Sequence, residues 1–84
     1  MPEYIEAITT LLLEKDAQVQ EIALLLADIQ RALRNKTITK QEYDILLFDV
    51  EKLRGVIIQS DNAMVDILIH RAIEGVITLA KAVW

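Results

Sequence analysis

Apolar residues recur every three or four positions along the first third of the chain. Eight of the nine positions in this repeat are apolar, and Lys15 is the exception. The repeat consists of Ile5, Ile8, Leu12, Lys15, Val19, Ile22, Leu26, Ile29 and Leu33. Spacing of this kind over several turns is typical of a helix that packs along one face. It predicts one helix over about residues 3–34, roughly 45 Å long at 1.5 Å per residue.

Two leucine triplets make the apolar surface of this helix wide. They lie at residues 11–13 and 24–26. Consecutive residues are about 100° apart around a helix, so each triplet spreads over roughly 200°. Because one neighbouring helix covers less than that, we expect this helix to contact two or more others.

A turn is predicted over residues 35–39. Asn35 is a suitable helix stop, and Thr39 followed by Glu42 fits the capping box that begins a helix. A second helix then begins near Lys40. The short connection makes the two helices antiparallel neighbours and predicts an all-α helical hairpin.

The second helix has two interpretations. Leucine or isoleucine at positions 46, 57, 68 and 79 gives an eleven-residue spacing, which favours one continuous helix, straight or kinked, to about residue 83. Gly55 and the triplet at residues 60–62 are poor helix formers and favour a clean break, with one helix ending near residue 59 and another starting after it. The second interpretation gives three helices, and both remain open at this point.

The composition predicts a single domain over residues 1–84 that associates with copies of itself. Hydrophobic residues make up 54% of the chain. A domain of this size buries only about 60% of the surface that its unfolded chain exposes, so a homo-oligomeric helical bundle is the expected solution. The residues predicted at its interface are Leu11, Leu12, Leu13, Leu24, Leu25, Leu26, Ile57, Leu68 and Trp84.

Several classes of protein are excluded or disfavoured. With no cysteine, two glycines and one proline, a disulfide scaffold, a cysteine-ligated zinc site and a β-sandwich are excluded. The net charge of −4 disfavours nucleic acid as a partner. No apolar run is long enough to span a membrane, and the first residues lack the positive region of a signal peptide. We therefore expect a cytoplasmic protein.

Catalytic constellations are not evident. His70 is the only histidine, and no glycine-rich phosphate loop is present. Asp66, His70 and Glu74 lie four residues apart and would share one helix face, which suggests either a divalent metal ladder or a solvated polar face. The second interpretation is favoured, so we expect no enzyme activity, no metal and no cofactor.

One basic cluster interrupts the acidic chain around the predicted turn. Free N–H groups at a helix start bind anions, and lysine and threonine side chains suit a phosphate group. Simple helix capping by the same residues is the alternative interpretation, and it is favoured. The candidate anion-binding residues are Arg31, Arg34, Lys36, Thr37, Thr39, Lys40 and Tyr43.

The segment at residues 70–83, HRAIEGVITLAKAV, is similar to the last helix of small phage proteins that sequester cyclic nucleotides. The similarity covers about a sixth of the chain, and the aromatic-and-lysine motif near the start of such proteins is not evident here. What the resemblance implies is a phage-encoded sponge for a small phosphorylated ligand.

Two functions are therefore expected. The first is a non-enzymatic assembly, scaffold or adaptor protein that acts through helix–helix contacts with its own copies or with another helical protein. The alternative is a sponge or sensor that binds a small phosphorylated ligand, such as a nucleotide, at the basic cluster.

Overall fold

A computed structural model describes residues 3–57 and 63–84, with the side chain of Ile57 outside that description. The described residues are almost entirely helical, which confirms the all-α class. Four helices follow one another within residues 3–57 and 63–84. They are α1 (Glu3–Leu12), α2 (Ala17–Asn35), α3 (Lys40–Ile57) and α4 (Ala63–Val83).

The single helix predicted over residues 3–34 is wrong, because the chain breaks between α1 and α2. Asp16 adopts an extended conformation, and its carboxylate accepts hydrogen bonds from the backbone N–H groups of Gln18 at 2.8 Å and Val19 at 3.4 Å. Aspartate at this position is a strong helix start. Lys15, the one polar position in the apolar repeat, lies within this break.

The end of α2 and the start of α3 follow the local sequence signals. Lys36 takes the left-handed conformation, with φ 56° and ψ 37°, and Thr37 N–H donates to the carbonyl of Ala32 at 3.0 Å. The predicted capping box is present: Thr39 N–H donates to Glu42 Oε1, and Glu42 N–H donates to Thr39 Oγ1, both at 3.1 Å. These bonds stop one helix and start the next within four residues.

The core lies between α2 and α4, with α1 packed against both of them. Of the described residues, the largest that are fully buried include Leu11 from α1, Leu26 and Ile29 from α2, and Ile69 and Val76 from α4. Helix α3 packs on α2, and among its described side chains only Tyr43 and Val50 are buried. It is therefore the helix most open to solvent.

A continuous helix over residues 40–83 is also wrong. The rings of Tyr43 and Trp84 have centroids 5.2 Å apart, whereas a straight helix would separate these residues by about 60 Å. Arg54 Nη2 lies 3.4 Å from His70 Nδ1, so α3 and α4 run in opposite directions. The predicted kink or break at residues 60–62 lies outside the described residues. The two-helix hairpin is thus replaced by four shorter helices.

Candidate functional site

The predicted basic cluster is divided between two helix ends. Arg31, Arg34, Lys36 and Thr37 lie at the end of α2, where the charged side chains are exposed. Arg31 pairs with Asp28 at 3.8 Å, and Thr37 Oγ1 lies 3.5 Å from the carbonyl oxygen of Ala32. These four residues lie at the C-terminal end of α2, and they line neither of the two grooves described below.

The start of α3 is already capped. The N–H groups of Thr39 and Glu42 are engaged by each other's side chains. The Glu42 carboxylate therefore takes the place at the helix start where a phosphate group would bind, and its negative charge opposes a second anion there. Of the two interpretations of this cluster, capping describes Thr39 best.

Lys40 and Tyr43 instead meet the far end of α4. Together with Lys81 and Trp84 they line an open groove of about 340 Å³, whose floor is Ile77 and Ala80. We call this the aromatic–lysine groove. Lys40 also pairs with Asp44, one turn further along α3, at 3.5 Å. Lys81 was missed as a candidate from the sequence because about 40 residues separate it from Lys40, and no local pattern joins them.

The aromatic pair fixes one wall of this groove. Tyr43 is buried and its ring is tilted by 60° to that of Trp84, with a centroid separation in the range of stabilising aromatic pairs. Burial raises the pKa of the Tyr43 hydroxyl, and the negative charges of Asp44 and Glu51 raise it further. Tyr43 is therefore a neutral hydrogen-bonding group at physiological pH.

The predicted interface residues have different environments. Leu11 and Leu26 are fully buried in the core of the single chain, so they are not part of its outer surface. Leu12, Leu25 and Leu68 are half-buried against the same core. Leu13 is 80% exposed, Leu24 57% and Trp84 46%. The side chain of Ile57 lies outside the described residues.

An apolar face that sequence reasoning missed lies on α3. Ile45, Phe48 and Val56 are exposed, and Lys52 lies between the last two with its Nζ 5.4 Å from the centre of the Phe48 ring. We call these four residues the outer α3 stripe. Their spacing of three, four and four residues is itself a helical repeat. The sequence pattern of the stripe was overlooked because a second helical repeat, through Tyr43, Leu46 and Val50, runs along the same helix and faces the core.

Asp66, His70 and Glu74 lie on α4, and the His70 ring contacts the guanidinium group of Arg54. His70 and Glu74 border a second open groove, of about 570 Å³. Glu3 and Arg71 also line this groove, and their side chains form an ion pair at 3.4 Å. Across residues 3–57 and 63–84, no group of three or more acidic or histidine side chains is arranged to hold a metal ion.

No helix within the described residues has the length and apolar character needed to cross a membrane. Comparison of the chain with protein families, curated proteins and solved structures finds no match.

Proposed function

We propose that this chain is a non-enzymatic assembly protein that self-associates through the outer α3 stripe. The observation that carries the proposal is the exposure of three large apolar side chains on one helix face: Ile45 at 57%, Phe48 at 59% and Val56 at 54%. Scattered exposed apolar residues are common on protein surfaces, but a row of them along one helix marks an interaction site.

The position of the stripe on α3 supports this proposal. At about 100° per residue, the four stripe residues fall within roughly 80° of the helix circumference. The buried residues Tyr43 and Val50 lie on the opposite side. Helix α3 is therefore apolar on two faces, and only one of them is covered by α2.

A second copy of the chain is the occupant that the composition favours. Hydrophobic residues make up 54% of the chain, and eight large ones are at least 46% exposed among the described residues. Closed homo-oligomers are the commonest assemblies of soluble proteins. Helix-on-helix pairing buries such a face without any new structural element.

The first experiment is the mass of the protein in solution, by native mass spectrometry and light scattering. We expect a multiple of the 9.6 kDa chain mass. Phe48→Glu places a charge in the centre of the stripe at a position that α2 does not cover. It should reduce the assembly to monomers while the helical circular dichroism is kept.

The matched control is Leu24→Glu on α2, at a leucine that is as exposed as Phe48. It should leave the mass unchanged. A monomeric parent protein would overturn the proposal, and so would dissociation by Leu24→Glu with no effect of Phe48→Glu. Binding of a different helical protein to a monomeric parent would identify the alternative partner.

The aromatic–lysine groove supports a second candidate function, the binding of a small phosphorylated ligand. Two ammonium groups, Lys40 and Lys81, flank an aromatic pair in a groove whose floor is apolar. This combination suits a planar ring that carries a phosphate, such as a nucleotide, since the ring packs on apolar surface and the phosphate contacts lysine.

Trp84 makes this second function simple to test, because it is the only tryptophan in the chain and it lines the groove. Its fluorescence should change on titration with a mononucleotide such as AMP and not with inorganic phosphate. Lys40→Glu with Lys81→Glu should abolish the change. Arg31→Glu with Arg34→Glu, the same change in charge outside the groove, should keep it. No change in the parent protein at millimolar nucleotide would exclude this function.

A further inference from the structure

We infer that two copies of the chain pair through antiparallel α3 helices, with the two-fold axis level with the midpoint between residues 50 and 51. The inference rests on the proposed function, and it adds the orientation and register of the partner. It follows from the order of apolar and charged residues along the exposed face of α3.

Two pairs of exposed residues on this face are symmetric about the midpoint. Ile45 and Val56 are equally distant from it, on opposite sides, and both are exposed and apolar. Asp49 and Lys52 are also equally distant from it and are both exposed. In an antiparallel pair, each Ile45 therefore meets the Val56 of the other copy, and each Asp49 meets the other copy's Lys52.

Charge decides between the antiparallel and parallel arrangements. The antiparallel pair brings two sets of opposite charges together, whereas a parallel pair in register would place Asp49 against its own copy and Lys52 against its own copy. Like charges directly opposed across an interface oppose association. The isologous contact made by a two-fold axis also places the same patch on both chains, as a self-complementary stripe requires.

The side chain of Phe48 fits this arrangement. It lies between Ile45 and Lys52 on the stripe, and the ammonium group of Lys52 sits over its ring. Lys52 is thus held on the exposed face by a contact within its own helix, in position to reach Asp49 of the second copy. The apolar residues Ile45 and Val56 flank this charged centre at both ends.

Single-cysteine variants distinguish the two orientations, because the chain contains no cysteine of its own. In the antiparallel pair the two copies of residue 45 are separated by about 16 Å along the axis, whereas a disulfide requires Cα atoms about 4.4–6.8 Å apart. Ile45→Cys alone and Val56→Cys alone should therefore form no disulfide-linked dimer. An equal mixture of the two variants should form the mixed disulfide under mild oxidation.

Charge reversal tests the register independently. Asp49→Lys alone and Lys52→Asp alone should each weaken dimerisation, roughly tenfold, since each puts two like-charge contacts into the interface. The double variant carrying both changes should recover parental affinity. Glu51→Lys, a charge reversal beside the stripe, serves as the control and should have a smaller effect.

The outcomes separate this inference from the proposed function. If the parent protein is dimeric and Phe48→Glu dissociates it, but Ile45→Cys alone crosslinks efficiently, the helices are parallel and the inference is overturned. It is also overturned if the double charge variant remains as weak as the single ones. A monomeric parent protein overturns the proposed function itself.

Discussion

Tyr4 of α1 packs directly on Gly75 of α4, so closely that a β-carbon added at residue 75 would overlap the Tyr4 side chain. The contact lies beside the exposed ion pair between Glu3 and Arg71. Because an exposed ion pair contributes little stability, the missing side chain at Gly75 is what allows the start of α1 to approach α4.

Gly75→Ala should destabilise the protein even though alanine is the better helix former. The added methyl group forces Tyr4 to move, and overpacking of this kind costs about 1–3 kcal/mol. Because the overlapping atoms include the β-carbon of Tyr4, which cannot rotate away, the cost should lie in the upper part of this range and exceed the gain of about 1 kcal/mol in helix propensity. The free energy of unfolding, measured by urea denaturation and circular dichroism, should therefore fall.

Gly55→Ala on α3 is the matched control. A β-carbon at residue 55 would meet no atom within 4 Å, so only the propensity gain remains, and this variant should be more stable by up to about 1 kcal/mol. If both alanine variants were stabilised, the close packing of Tyr4 on Gly75 would be contradicted.

Short-range signals in the sequence predicted the α2–α3 connection correctly. Thr39 and Glu42 are three residues apart, and their reciprocal hydrogen bonds join residues that are close in the sequence. The break between α1 and α2 was missed because the apolar repeat continues in phase across it. The signal that identifies the break is local as well. Lys15 is the only polar residue of the repeat, and the next residue, Asp16, is a strong N-cap residue.

The candidate groove illustrates the limit of such reasoning. Lys40 and Tyr43 were predicted because they lie near each other in the sequence and in a basic cluster. Their neighbours in the groove, Lys81 and Trp84, are brought there by the return of α4 alongside α3. Only the tertiary fold contains that information, and it also decides which of the leucines in each triplet is buried.

Asp16→Ala should loosen the start of α2. The Asp16 carboxylate accepts hydrogen bonds from two backbone N–H groups that have no partner within the helix. Loss of such a cap lowers the free energy of unfolding by about 1 kcal/mol. The decrease should be seen in the urea midpoint. Asp28→Asn, which removes the exposed ion pair with Arg31 at nearly unchanged helix propensity, should change stability by less than about 0.5 kcal/mol. Equal effects of the two variants would contradict the capping role.

Lys36→Gly should stabilise the protein. Lys36 is the only non-glycine residue with positive φ among those described, and the left-handed conformation costs an ordinary residue about 1–2 kcal/mol. Glycine removes that cost, but it also raises the conformational entropy of the unfolded chain, which lowers stability. The net gain in the free energy of unfolding should therefore be below about 1 kcal/mol. Lys36→Ala keeps the β-carbon and should give no gain. Stabilisation by alanine as well would show that removal of the lysine charge is responsible.

Alkaline pH should destabilise the protein through Tyr43. Burial, with Asp44 and Glu51 nearby, raises the pKa of this hydroxyl above its ordinary value of 10.0 in the folded chain. Below that value both the folded and the unfolded chain hold the proton, and the full stability is present. As the pH rises above it, the unfolded chain releases the proton first, so stability falls until the pH passes the raised pKa of the folded state.

The measurement is the free energy of unfolding of the parent protein and of Tyr43→Phe at about pH 8.5 and about pH 11, on either side of the ordinary tyrosine pKa. Phenylalanine keeps the ring against Trp84 but has no proton to release. The parent protein should therefore lose more stability between the two pH values than the variant, while Tyr4 and the lysines, present in both, contribute equally. Identical losses would show that the Tyr43 hydroxyl has the same pKa in the folded and unfolded chains, and that the Trp84 contact leaves it open to water.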